Sequence, residues 1–203
     1  MVGRRGAEKD CVRTGGRRRP KADGNEGEER GSTLHASHCP ETHDDSGVRT
    51  EAEALAALDD AATTPTLLAS LAEALTSLLG AEACLISRAI GEMLVDLVEH
   101  TTTPAPLPGG HGYLISDFPQ TQRILKDGTS ATVFIDDPEA DRQETALLKE
   151  LGFTSLLMAP IMVRNDTWGL AEVYGHERFA DADVKRVQPL LTRSGELISE
   201  LRA

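Results

Sequence analysis

The large apolar residues of this chain are confined to one stretch, and that limits what can fold. Residues 1–50 contain only Met1, Val2, Val12, Leu34 and Val48, and all seven aromatic residues lie between Tyr113 and Phe179. A segment with so little to bury cannot offset the entropy of ordering its backbone. Residues 1–49 therefore read as a disordered, low-complexity tail, and residues 50–203 as one domain long enough to bury a core. The tail is first basic, through Arg4, Arg5, Arg17, Arg18, Arg19 and Lys21. It then turns acidic, through Asp23, Glu26, Glu28, Glu29, Glu41, Asp44 and Asp45. A solvated extension, or a start placed upstream of the true one, is expected rather than an arm for anionic partners.

Charge sharpens the division. Residues 1–50 carry ten Lys or Arg against nine Asp or Glu, and the remainder carries eleven against twenty-four. So acidic a domain repels phosphate backbones and anionic lipid, and neither nucleic acid nor a membrane is an expected partner. No apolar run approaches the ~18 residues of a spanning helix, and no apolar stretch follows the basic N-terminus as a secretory signal requires. Cys11, Cys39 and Cys84 are too few and too scattered for a disulfide framework, which points to a reducing cytoplasm. His35, His38, Cys39 and His43 fall within nine residues. Zinc ligands use such spacings, but a paired second half is missing and no metal site is expected.

After residue 50 the pattern becomes periodic. Thr50 with Glu53 reads as a capping box opening a short helix through Leu55 and Leu58. Thr64 and Pro65 read as the N-cap and first residue of a second helix, with Leu67, Leu68, Leu71, Leu75, Leu78 and Leu79 at helical spacing and Gly80 closing it. Residues 83–90 and 93–99 read as a hairpin around Gly91-Glu92. A Thr-, Pro- and Gly-rich loop covers 101–112, and Tyr113-Leu114-Ile115 is a short strand. A helix over 118–126, a strand over 130–135 and a helix over 141–151, with Leu147, Leu148 and Leu151 on one face, come next. Strands 154–163 and 167–174 are joined at Arg164-Asn165-Asp166, and a final helix runs from about Ala180 to Leu201. Its Val184, Val187, Leu191 and Ile198 face can pack on the sheet, on the helix of residues 66–79, or across a two-fold axis.

This order of elements resembles the GAF domain family. The stretch from Leu151 to Ile161 is similar to the family's Gly–x–x–Ser–x–x–x–x–Pro segment through Gly152, Ser155 and Pro160. Trp168-Gly169-Leu170 matches its second hairpin strand, and Arg178-Phe179 followed by Asp183 matches the start of its closing helix. The stretches Tyr113 to Gly128 and Val133 to Asp137 fit its pocket half. The resemblance implies a GAF-like, PAS-related α/β fold of the α+β kind. In such a fold the terminal helices cover one face of a central antiparallel sheet and the ligand-side helices cover the other. It also implies a small-molecule pocket, for which Tyr113, Ser116, Asp117, Phe118, Thr132, Phe134, Asp136, Glu144, Thr145 and Met158 are the candidate residues.

The family's special ligands can be tested residue by residue. Cyclic-nucleotide binders carry Asn-Lys and Phe–x–x–x–Asp-Glu; here Asn165, Phe179 and Asp183 are kept, but Asp166 and Val184 stand where Lys and Glu are needed. Haem needs an axial ligand, and the sole candidate is His111 in the Gly-rich loop. Bilin attachment needs a pocket cysteine, and that half has none. Reduction of free methionine sulfoxide needs paired, accessible thiols, whereas Cys84 stands alone in an apolar run. No catalytic constellation remains, and the sequence specifies no cofactor. The expectation is a non-enzymatic, cytoplasmic sensor of an unidentified small molecule, acting through a homodimer or a separate signalling protein. A purely structural dimerisation domain is the alternative, and a sulfoxide reductase the less favoured one.

Overall fold

The computed structural model describes residues 50–103, 107 and 112–201. The tail, with Cys11, His35, His38, Cys39 and His43, lies outside them, and so does His111.

Helix α1 (Glu51–Asp59) opens on the capping box of Thr50 and Glu53: the Glu53 N–H donates to Thr50 Oγ1 at 3.3 Å, and the Thr50 N–H donates to Glu53 Oε2 at 2.8 Å. Helix α2 (Thr64–Leu79) is capped by Thr63 rather than by Thr64. The Thr63 backbone is extended, and its hydroxyl and that of Thr66 accept each other's backbone N–H. A Thr at the third helical position does here what Glu does in α1, which moves Pro65 one place into the helix.

Six strands form one antiparallel sheet in the order β3-β2-β1-β6-β5-β4. They are β1 (Ala83–Ile90), β2 (Met93–Thr101), β3 (Gly112–Leu114), β4 (Ala131–Phe134), β5 (Ser155–Val163) and β6 (Asp166–Gly175). Helices α3 (Pro119–Asp127) and α4 (Arg142–Leu151) lie between β3 and β5, and α5 (Asp181–Glu200) closes the chain. Ile115 leaves the strand read for it and starts a 3₁₀ turn that leads into α3. Gly80, Gly128 and Gly152 end α2, α3 and α4 in the left-handed conformation, which costs a residue without Cβ little. Pro160 sits in β5 two residues past the end of the β4 pairing, where a missing donor breaks no ladder on that side.

The sheet's pleat sorts side chains between two cores. Leu157, Ala159 and Ile161 of β5, Ala171 and Val173 of β6, and Cys84 and Ile86 of β1 face α1, α2 and α5 in an apolar core. Leu156 and Met158, Leu170 and Tyr174, and Ala83 face the other way, toward Ile124 of α3 and Leu148 of α4. Two bulges adjust this alternation. Leu97 is skipped in β2, and Trp168 is skipped in β6, which lets Trp168 and Ala171 both reach the first core. At Gly169 a Cβ would collide with the Ser87 carbonyl of β1, so this crossing of β1 and β6 requires glycine. The apolar face of α5 packs within the protomer, where Val187, Leu190, Leu191 and Ile198 are buried against the sheet, α1 and α2.

Candidate functional site

The second core contains groups that an apolar core lacks. Glu172 of β6 follows the same alternation as Leu170 and Tyr174, so the pleat carries its carboxylate under α3 and α4. Its side chain is 0% exposed. Tyr113 of β3 donates its hydroxyl to Glu172 Oε1 at 3.1 Å, and Tyr174 donates to the same oxygen at 3.4 Å. Glu172 Oε2 has no hydrogen-bond partner. Above it, Glu144 of α4 is buried and accepts the hydroxyl of Thr121, on α3, at 2.7 Å. The same hydroxyl lies 3.5 Å from Met158 Sδ. To one side, Ser87 of β1 donates to Asp96 of β2 at 2.9 Å. Strands β1, β2, β3, β5 and β6 and helices α3 and α4 thus deliver one polar cluster to the middle of a buried face.

Burial dominates its electrostatics. Glu172 is pushed up to about 8, first by desolvation and then by the negative charges of Glu144 and Asp96; the Tyr113 and Tyr174 hydroxyls oppose the rise. The Glu144 carboxyl is raised by burial, with Thr121 opposing and Asp141 adding to the rise. Tyr113 and Tyr174 are driven up by burial and then by Glu172, so both phenols remain donors. At neutral pH the cluster therefore stores at least one proton that a solvated pair of carboxylates would have lost.

The candidate residues read from the sequence divide into two groups. Tyr113, Glu144 and Met158 join the cluster, and Phe118 packs edge-on against Tyr113 with ring centroids 4.7 Å apart. The others stand apart from it. Ser116, Asp117 and Asp136 are exposed. Thr145 returns its hydroxyl to the Arg142 carbonyl of its own helix. Thr132 and Phe134 pair with Leu157 and Ser155, so they belong to the terminal-helix face; Phe134 lies under the Arg178 guanidinium at 4.5 Å. In α4 the buried positions are Glu144 and Leu148, four apart, while Leu147 turns partly outward. Glu172, Thr121 and Tyr174 join the cluster without being among the candidates that sequence spacing suggests. A signal is present for the first: in Leu170-Ala171-Glu172-Val173-Tyr174 a carboxylate takes a period-two buried position.

Residues matching the family's special ligands are engaged elsewhere. Asp183 accepts the Ala180 N–H at 2.8 Å and pairs with Arg186 at 3.8 Å, so it serves the start of α5. Cys84 is buried on the terminal-helix face, its thiol driven well up by burial and then by Glu172. Among the described residues no cluster of three or more His, Cys, Asp or Glu could hold a metal, and no helix is long and apolar enough to cross a membrane.

The sequence matches the GAF domain family model over residues 63–193. The chain belongs to the GAF domain family. The match runs from the cap of α2 to the third quarter of α5 and takes in the whole sheet. Solved structures share the GAF fold at low identity. The chromophore-binding domain of the bacteriophytochrome RpBphP3 from R. palustris superposes with a TM-score of 0.65 at 14% identity, over 75% of this chain and 61% of that one. The phycoerythrobilin-bound GAF domain of a cyanobacterial phytochrome gives 0.66 at 16% identity, over 76% of this chain and 97% of that one. A methyl-accepting chemotaxis protein gives 0.59 at 18% identity, over 73% and 96%. The chain spans 37% of the longer RpBphP3 structure. A search of curated proteins found no match.

Proposed function

We propose that this GAF domain is a non-enzymatic, cytoplasmic sensor that binds a small molecule between its sheet and α3/α4 and passes the signal to a homodimer mate or a separate protein. The observation that carries this reading is the unpartnered Oε2 of Glu172, buried beneath α3 and α4 among Tyr113, Thr121 and Glu144. Buried polar atoms without partners are rare because each costs roughly 1–3 kcal/mol. A ligand that supplies the missing partner gives such a group a reason to be there. Phytochrome GAF domains that hold bilins, and a chemotaxis protein fragment, share the fold, and sensing is consistent with both.

The fold also offers a route for the signal. Glu172 faces the proposed ligand, while its neighbours Ala171 and Val173 face the terminal helices. On β5, Met158 touches the cluster, and the Met162 carbonyl packs against Gly195 of α5 so closely that a Cβ there would collide with it. A ligand that shifts β5 and β6 therefore shifts the seat of α5, and differential affinity for two helix arrangements is all that signalling requires. The buried position of Cys84 on the opposite face supports a non-catalytic role.

The structural-dimer reading rests on a different feature. Ile90, Met93 and Leu114 pair across β1, β2 and β3, and each is more than 40% exposed. A thermal-shift screen of the full chain against nucleotides, amino acids, amines and tetrapyrroles separates the two readings. Sensing predicts at least one compound that raises the melting temperature by several degrees. No stabilising compound, together with a dimer that dissociates on dilution, would replace sensing by scaffolding.

A further inference from the structure

The charge of the buried cluster says what kind of ligand it takes. Resting on the sensing reading above, we infer that the ligand is a small organic cation with an amidinium, guanidinium or ammonium head, seated on Glu172 Oε2 with Glu144 as second counter-charge.

Three observations support this. First, Tyr113 and Tyr174 occupy Glu172 Oε1, so Oε2 carries the proton of the neutral acid and has no partner; once that proton leaves, Oε2 is an acceptor that a ligand N–H can fill. Second, among the described residues no Lys or Arg pairs with Glu144 or Glu172. The titratable groups around Glu172 are Glu144 of α4, Asp96 of β2, Tyr113 of β3, and Tyr174 on its own strand, with Cys84 of β1 behind the sheet; none can supply positive charge. Third, the edge-on pair Tyr113 and Phe118 provides an aromatic wall beside the carboxylate, and the Met158 thioether a polarisable one, both suited to a planar cation. A phosphate or a propionate would meet two carboxyl groups with no Lys or Arg paired to either, so nucleotides and tetrapyrrole acids are disfavoured.

Binding has a proton balance. At neutral pH the free protein holds Glu172 protonated, because its titration lies near 8. An arriving cation ionises it: the O–H bond breaks, the proton goes to solvent, and the carboxylate pairs with the ligand. Affinity for a cation of fixed charge should therefore rise about tenfold per pH unit up to that titration and level off above it.

The test uses three isosteric probes, benzamidine, benzamide and benzoate, and also magnesium ion. Each is measured by thermal shift and calorimetry on the full chain and on E172Q and E144Q. These substitutions keep the side-chain shapes and leave Tyr113 and Thr121 an acceptor. Benzamidine alone should bind, with the pH dependence above and release of up to one proton per molecule bound at neutral pH. E172Q should still melt cooperatively and lose at least about tenfold in affinity. If E172Q does not fold, the probe comparison and the pH dependence in wild type decide by the same outcomes. Equal binding of benzamide or benzoate, binding of magnesium instead, or no binding by benzamidine would overturn the inference. A neutral or anionic compound from the metabolite screen that lost affinity in E172Q would overturn it and leave sensing intact. Absence of any stabilising compound would overturn sensing itself.

Discussion

The two faces of one sheet have been built to different rules. Toward α1, α2 and α5 the strands present Ile86, Leu157, Ile161 and Val173, and the core is mainly apolar, with Thr76 and Ser194 the buried polar side chains of the helices that cover it. Toward α3 and α4 the same strands present Met158, Tyr174 and the fully buried Glu172, with Glu144 and Thr121 above them. Apolar burial on the first face stabilises the domain at about 25 cal/mol per Å². On the second face the burial of two carboxyl groups works against stability. The difference teaches that the first face holds the fold together, while the second carries buried polar groups at a cost to stability.

The largest expected effect breaks the first face. Gly195→Val would drive a side chain into the Met162 carbonyl and should destabilise by roughly 3 kcal/mol or more, read by urea denaturation. An unchanged midpoint would mean that α5 is not seated as described.

The second prediction has the opposite sign. Below about pH 4.5 Glu172 is protonated folded and unfolded; between there and about 8 the native state keeps a proton that the unfolded chain has lost. The stability this group gives is thus complete at low pH and is lost as pH rises through 8. The loss amounts to a few kcal/mol, at roughly 1.4 kcal/mol for each pH unit between the two titrations. Glu172→Gln should flatten that fall, leaving the variant more stable than wild type at pH 9. Parallel stability curves would show that Glu172 is not buried as an acid.

A smaller loss is expected from Thr121→Val, which removes the 2.7 Å bond to Glu144 and should cost about 1–3 kcal/mol at neutral pH. It should also raise the titration of Glu144 further, which carboxyl carbon chemical shifts would follow. The smallest effect is at the protein surface. Arg193 bridges Asp59 of α1 and Glu196 at 2.7 and 2.9 Å, but these groups are solvent-accessible, and Arg193→Ala should leave the melting temperature almost unchanged.

Local signals made most of the fold legible in the sequence. The Leu stripe of α2, the Gly91 and Arg164 turns and the capping box of α1 each act over a few residues, so pattern alone locates them. The candidate cluster was legible only in part, because membership depends on which face a residue takes. Thr132 and Phe134 lie in a strand of the pocket half yet point to the terminal helices, since the register with Leu157 and Ser155 fixes their side. Glu172 lies in a strand outside the pocket half read from the sequence and points toward α3 and α4 with Met158, its cross-strand partner. That inversion is a matter of parity along two strands, and a bulge at Trp168 shifts it further. Sequence spacing cannot supply that register without the pairing.

The most direct test of the central claim is to map, by amide and methyl NMR, where the most stabilising compound of the metabolite screen binds. Binding under α3 and α4 predicts chemical-shift changes centred on Tyr113, Thr121, Glu144, Met158 and Glu172, with a weaker trail through β5 into α5. The competing location is the groove of about 500 Å³ between α5 and β5, lined by Pro160, Met162, Leu191, Gly195 and Ser199. Changes confined to that groove would contradict a ligand site on the Glu172 face.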